Sequence, residues 1–344
     1  MNAMRKTMAA ILRLLIGLGL IVFLFRVIGW ESIRLAVAPA RQHPLWIVAA
    51  IGLTGLALLM GVVRWHAILR TLALPTAFGR TLRGYFVGQF FNAFLFGACG
   101  GDLARAVFAA HDHPDRRAEA VTSVFLDRAI GLFVTLLFGC GMLLARFPRV
   151  AGSAAARPAI WLMAVFPLAA AACIALFFTR NLFERLPWLR RLEERGRTGQ
   201  LLRRAYDAVF LFRQNLRHLR WPAILSIANL LLLAAATAVL ARALEMRLAF
   251  LDLLVVFPIA TVLAAIPLTP GSLGVRETLY VQLLQPSGIA AGPALMLSLL
   301  GYLAGTFWSL TGAAPLLAPR LRAAANRTAP AQPTGRADVD GSRA

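Results

Sequence analysis

Apolar runs long enough to cross a bilayer recur along this chain, and they leave it few ways to fold. A helical span takes about 20 mostly apolar residues. Runs of that kind occupy residues 9–28, 44–63, 121–145, 158–178, 222–244 and 292–317, and two more, 81–98 and 251–266, each stop at a glycine-bearing break. Hydrophobic residues make up 59% of the 344, where a soluble domain holds about 45–50%. The reading is an all-α integral membrane protein. Residues 1–318 form one polytopic domain, and 319–344, rich in Ala, Pro, Arg and Gly, form a disordered tail. The first run resembles a signal peptide, but Arg26, Glu31 and Arg34 separate it from the small-residue site at Ala36-Val37-Ala38, so an uncleaved first span is expected.

Charge sets the orientation. The net charge is +21, from 36 basic residues against 15 acids. The arginines gather between the apolar runs, which fits the positive-inside bias and anionic lipid rather than nucleic acid as a partner. Residues 180–220 hold 11 arginines and should be cytoplasmic. Within them, Leu201, Leu202, Ala205, Val209, Phe212 and Leu216 share one helical face, as an amphipathic helix on the inner leaflet would require.

If every apolar run crossed the membrane from an inside N-terminus, that basic region would lie outside. Orientation is restored if 81–111 enters from the cytoplasm, turns at Gly97–Gly101 and returns, while 251–284 does the same from the opposite face, turning at Pro270–Gly274. The expected topology is about six full spans and two oppositely directed re-entrant helical hairpins, arranged as an inverted repeat with both termini cytoplasmic.

The two breaks carry the candidate site. Gly100-Gly101-Asp102 reads as the start of a half-helix with Asp102 as N-cap, and Thr269-Pro270-Gly271 as another with Thr269 as N-cap and Pro270 at N1. Two such N-termini aimed at one point favour an anion, and Arg105 and Arg276 add fixed positive charge. The same glycines would equally serve close helix packing. Asp127 and Arg128 are adjacent, so they face different neighbours. Arg105 or Arg276 are the candidate partners of Asp127, and Asp102 or Glu277 those of Arg128. Gln89 and Asn92 share a face that either lines a cavity or joins helices. Arg64-Trp65 reads as an interfacial anchor. Cys99, Cys140 and Cys173 have no metal spacing, His111-Asp112-His113 lacks a third ligand, and no hydrolase or nucleotide-binding motif is present. No catalytic residue, metal or cofactor is expected.

Taken in order, Arg64-Trp65, the run Asn92 to Gly100-Gly101-Asp102-Leu103-Ala104-Arg105, Asp127-Arg128-Ala129-Ile130-Gly131-Leu132, and Pro267-Leu268-Thr269-Pro270-Gly271-Ser272-Leu273-Gly274-Val275-Arg276-Glu277 resemble the flippase-like family that includes the transmembrane region of lysylphosphatidylglycerol synthases. The resemblance covers about residues 9–318. It implies a bacterial inner-membrane protein that moves a lipid between leaflets, with some relatives linked to hopanoid or glycolipid pathways. Many relatives have proline where Phe96 stands and glycine where Ser272 stands. The bifunctional synthases carry a soluble aminoacyl-transfer domain after the membrane part; none is expected here, and synthase activity is not carried over.

The expected function is translocation of an anionic phospholipid, polyprenyl-phosphate or hopanoid-type lipid. Its head group would lie among Asn92, Gly100, Gly101, Asp102, Arg105, Asp127, Arg128, Thr269, Gly271, Gly274, Arg276 and Glu277. A non-transporting subunit that docks a lipid-pathway enzyme through 180–220 is the first alternative. A membrane-embedded lipid-modifying enzyme using Asp102 or Glu277 as a base is the second.

Overall fold

The computed structural model describes residues 30–94, 97–150, 217–264 and 274–315, and singly Leu168 and Ala171. The expected spans at 9–28 and 158–178 (those two residues apart), the basic segment up to 216, the tail, and the break residues Thr269, Pro270 and Gly271 lie outside the described residues. The helices are α1 (Trp30–Gln42), α2 (Pro44–Thr71), α3 (Phe78–Phe94), α4 (Gly97–Asp112), α5 (Arg117–Val150), α6 (Arg217–Ala243), α7 (Phe250–Ala264), α8 (Val275–Leu284) and α9 (Ala291–Leu310). Short 3-10 turns precede α5 (Pro114–Arg116) and follow α8 (Gln285–Ser287) and α9 (Thr311–Ala313).

Four helical stretches are long and apolar enough to cross a bilayer: Pro44–Thr71, Pro114–Met142, Arg217–Ala243 and Ala291–Ala313. The helices between them are shorter. At 17 residues, α3 measures about 25 Å, under the roughly 30 Å of hydrocarbon. The order span, short pair, span therefore occurs twice: α2, α3–α4, α5 and then α6, α7–α8, α9.

Hydrogen bonds fix where the first pair begins and ends. Thr76 Oγ1, just before α3, lies 2.9 Å from His113 Nε2, just after α4. Arg116 Nη1 donates to Ala73 O at 2.8 Å and its Nη2 to Leu72 O at 3.0 Å. The end of α2, both ends of the α3–α4 pair and the start of α5 thus meet at one end of the molecule, and the pair returns to the side it left. At the other end, His43 before α2 lies 3.5 Å from Glu245 after α6, and Arg242 lies over the Trp46 ring. The helices α2 and α6 are accordingly antiparallel, and the α7–α8 pair begins at the end opposite to the α3–α4 pair. The two short pairs are oppositely directed, as an inverted repeat requires.

The two halves also finish their first span alike. In α2, Ala73 N donates to Arg70 O and Leu74 N to Leu69 O; in α6, Glu245 N donates to Arg242 O and Met246 N to Ala241 O. Both are the paired bonds that close a helix through a left-handed residue. That residue is Ala73 in one half and Glu245 in the other, each with φ 53°. An L residue in this conformation costs about 1–2 kcal/mol. The spacing to the next helix is the same: Ala73 to Phe78, Glu245 to Phe250.

The core follows the same division. Val62, Trp65, Ile68, Tyr85, Ala106 and Val124 form one buried cluster among α2–α5. Leu240, Leu253, Ile259, Tyr280 and Leu297 belong to another, drawn mainly from α6–α9 and joined by Ala40, Ala50 and Leu136 of α1, α2 and α5. Large apolar side chains such as Leu56, Phe125, Ile224 and Leu303 remain exposed, as lipid-facing positions do.

The turn of the first hairpin differs from the expectation. Residues Gly97–Gly101 are helical, and 95–96, between α3 and α4, lie outside the described residues. The glycines serve close approach instead. A Cβ on Gly101 would collide with Gly88 O and with Asn92, and one on Gly88 with the Arg105 side chain. Bare backbone at these crossings lets α3 and α4 pack almost face to face.

Candidate functional site

At the centre of the first half, Asp127 is 1% exposed. It stands ten residues into α5, about 15 Å along the helix. Its Oδ1 accepts from Arg64 Nε at 2.7 Å and its Oδ2 from Arg105 Nη2 at 2.9 Å. Arg64 Nη1 also donates to Ser226 Oγ of α6 at 2.9 Å. The Arg105 guanidinium lies 4.4 Å from the Trp65 ring centre and 4.6 Å from that of Tyr85. Trp65 Nε1 in turn donates to Ser123 Oγ at 3.1 Å. One carboxylate therefore joins α2, α4 and α5, and through Arg64 reaches α6.

The expected Asp127–Arg105 pair is present. Arg105, expected to add fixed positive charge at the site, has its guanidinium buried, paired with Asp127 and set against the Trp65 and Tyr85 rings. Arg64 is not an interfacial anchor. Its depth in α2 and its pairing with Asp127 make it part of this network, a role that the adjacent Trp65 obscured in the sequence. Asp102 is not an N-cap, since α4 begins at Gly97. Asp102 faces Arg105 at 3.7 Å and Arg128 at 3.7 Å. The second of these is the expected Asp102–Arg128 pair, at a separation longer than a hydrogen bond.

The second half builds a matching centre from adjacent residues. The described helix after the second break starts at Val275, beyond the expected Thr269–Pro270 start, with Gly274 as its N-cap at φ 84°, a conformation that glycine adopts at no steric cost. Gly274 N donates to Glu277 Oε2 at 2.6 Å. Glu277 Oε1 accepts from Arg276 Nη2 at 3.0 Å and from Ser298 Oγ at 3.2 Å. Arg276 also donates from Nε to Ser298 Oγ at 3.1 Å, and from Nη2 to Ser298 O at 3.0 Å. Glu277 is fully buried.

Between the two centres lies a cavity of about 330 Å³, at the lower end of the roughly 300–1,000 Å³ typical of small-molecule sites. Every helix from α2 to α9 except α4 contributes to it. Arg128 from α5 and Arg276 from α8 line it, with the carboxamides Gln89 and Asn92 from α3 and the hydroxyls of Thr261 and Tyr302. Arg276 lies 5.1 Å from the centre of the Tyr302 ring. Of the expected site residues, Asn92, Arg128 and Arg276 line the cavity. Asp102, Arg105, Asp127 and Glu277 stand behind it in the ion-pair networks. Gly100, Gly101 and Gly274 shape the backbone, and Thr269 and Gly271 lie outside the described residues. Among the described residues, no group of three or more His, Cys, Asp or Glu side chains could hold a metal ion.

Against this geometry, residues 10–313 match the family described as the lysylphosphatidylglycerol synthase TM region. The chain belongs to that family. The match covers both halves of the repeat and both centres, so this member of the lysylphosphatidylglycerol synthase transmembrane family is a multi-pass membrane protein of a lipid-related group. A comparison with curated proteins gives no match.

Proposed function

We propose that this protein moves an anionic, phosphate-bearing lipid between the leaflets of a bacterial inner membrane, with the head group in the cavity and the tails in lipid. The observation that carries this reading is a largely apolar cavity between two oppositely directed half-membrane helix pairs, with the charged Arg128 and Arg276 on its wall. Ionisable groups at such depth are costly and tend to mark a substrate path, and binding sites of repeat-built transporters lie where the repeats meet. On this reading the arginine-rich segment 180–220 and both termini face the cytoplasm, and the chain performs no covalent chemistry.

The test is reconstitution into liposomes carrying fluorescent phosphatidylglycerol. Transbilayer movement should exceed that of protein-free vesicles. Arg128→Gln and Arg276→Gln should each slow it about tenfold or more, as expected for a lost charge-assisted hydrogen bond. Movement no faster than in protein-free vesicles, with anionic phospholipid, polyprenyl-phosphate and hopanoid-type lipids alike, would overturn the proposal.

A further inference from the structure

The two arginines on the cavity wall are held differently. Arg276 is fixed by hydrogen bonds: its Nε donates to Ser298 Oγ at 3.1 Å, and its Nη2 to Ser298 O and to Glu277 Oε1 at 3.0 Å each. Glu277 accepts in turn from Gly274 N. Arg128 has a looser hold. Its Nε stands 3.7 Å from Asp102 Oδ2, and its side chain is 36% exposed. At that distance the contact is an ion pair without a hydrogen bond. Coulomb attraction holds the guanidinium there, while its N–H donors stay uncommitted to Asp102.

The backbones beneath this pair are fixed. Asp102 follows Gly101, which packs so closely on Gly88 O and Asn92 that a Cβ there would collide. Arg128 follows Asp127, which is pinned by Arg64 and Arg105. The freedom in the pair therefore lies in the Arg128 side chain. Arg128 lines the cavity, whereas Asp102 belongs to α4, which contributes nothing to the described lining. If Arg128 turns into the cavity, Asp102 is not abandoned, because Arg105 Nη1 stays 3.7 Å from its Oδ1. Opening an ion pair at depth is costly when it strands a charge. Here the carboxylate keeps one cation, and Arg128 gains a phosphate, which can take two of its N–H groups at once.

We infer that Asp102 is the resident counter-ion of Arg128 and surrenders it to the phosphate of an incoming anion, so that Asp102 limits how tightly that anion is held. This rests on the translocase reading for its setting and adds the residue that tunes the affinity of the site. The full-length protein in detergent should be titrated calorimetrically with two probes, dihexanoyl-phosphatidylglycerol and glycerol 3-phosphate. Asp102→Asn removes the competing charge with little change of shape, and should bind the lipid about tenfold more tightly than the wild type. Asp102→Glu restores the charge and should return the affinity towards the wild-type value. In an Arg128→Gln background, Asp102→Asn should change the affinity by less than about twofold, because both substitutions act through one contact. A misfolded variant cannot produce a gain that depends on Arg128. Glu277→Gln is the contrast: it should weaken binding, since Glu277 holds both Arg276 and the Gly274 cap.

An unchanged or weakened affinity in Asp102→Asn, or a gain that persists undiminished without Arg128, would overturn the inference, as would failure of every form to bind either probe. A gain shared by glycerol 3-phosphate keeps the inference and assigns the exchange to the phosphate alone, while a gain confined to the lipid assigns it to a lipid-borne head group. An Arg128-dependent gain without transbilayer movement in liposomes keeps the inference and removes the translocase. Movement in liposomes with no gain in Asp102→Asn does the reverse.

Discussion

Asp127 is the residue on which the first half depends. Its two oxygens hold two guanidiniums from different helices, so Asp127→Asn leaves Arg64 and Arg105 buried with half their compensation gone. Breaking a buried pair by removing one partner costs about 3–5 kcal/mol. Thermal unfolding in detergent should show a large loss for Asp127→Asn and a small one for Asp102→Asn, whose contacts are both 3.7 Å. Equal losses would mean that Asp127 does not organise the network. The sequence showed that Asp127 and Arg128 must look in different directions, and the structure sends one to Arg105 and the other towards Asp102. It did not show Arg64 in this role. Position 64 lies near the end of an apolar run beside a tryptophan, a pattern shared by interfacial anchors, and only tertiary placement separates the two.

The helix pair α3–α4 is defined by what it lacks. Gly88 and Gly101 bring the two backbones together, so Gly101→Val should destabilise by about 1–3 kcal/mol through overpacking, measurable as a lowered unfolding midpoint. A midpoint unchanged by this substitution would show that the two helices have room to separate. The pair's return to one end is also testable. Thr76→Cys combined with His113→Cys, in a background without other cysteines, should be joined by a short bis-maleimide cross-linker, because the native side chains meet at 2.9 Å while the length of the histidine holds the two backbones too far apart for a direct disulfide. A hairpin between 81 and 111 was legible from the arginine distribution alone. Its turn was misplaced because a glycine run reads equally as a bend or as a packing seam. The expected half-helix start at Thr269-Pro270 lies outside the described residues; the described helix is capped by Gly274, which holds a positive φ and whose N–H donates to Glu277.

At the scale of the whole molecule, the repeated order of span, short pair and span could be inferred from run lengths and charge. The matching helix ends at Ala73 and Glu245 could not, since neither residue type advertises a left-handed backbone. The antiparallel course of the two halves yields a labelling prediction. A membrane-impermeant thiol reagent should reach Ala77→Cys and Asp115→Cys from one face of a sealed vesicle and Ala249→Cys from the other. Labelling of all three from a single face would contradict the inverted arrangement.

The four guanidiniums of the two centres, on Arg64, Arg105, Arg128 and Arg276, are opposed by three carboxylates, on Asp102, Asp127 and Glu277. Among the described residues the site therefore carries one positive charge, and a singly anionic head group cancels it. Transmembrane voltage acts on an elementary charge with about 2.3 kcal/mol per 100 mV. It has no grip on the occupied, electrically neutral site and a full grip on the vacant one. Under the translocase reading, a potassium diffusion potential should leave the loaded crossing unchanged and bias only the return of the empty protein, so voltage would set the direction of net flow without ever pulling on the lipid itself.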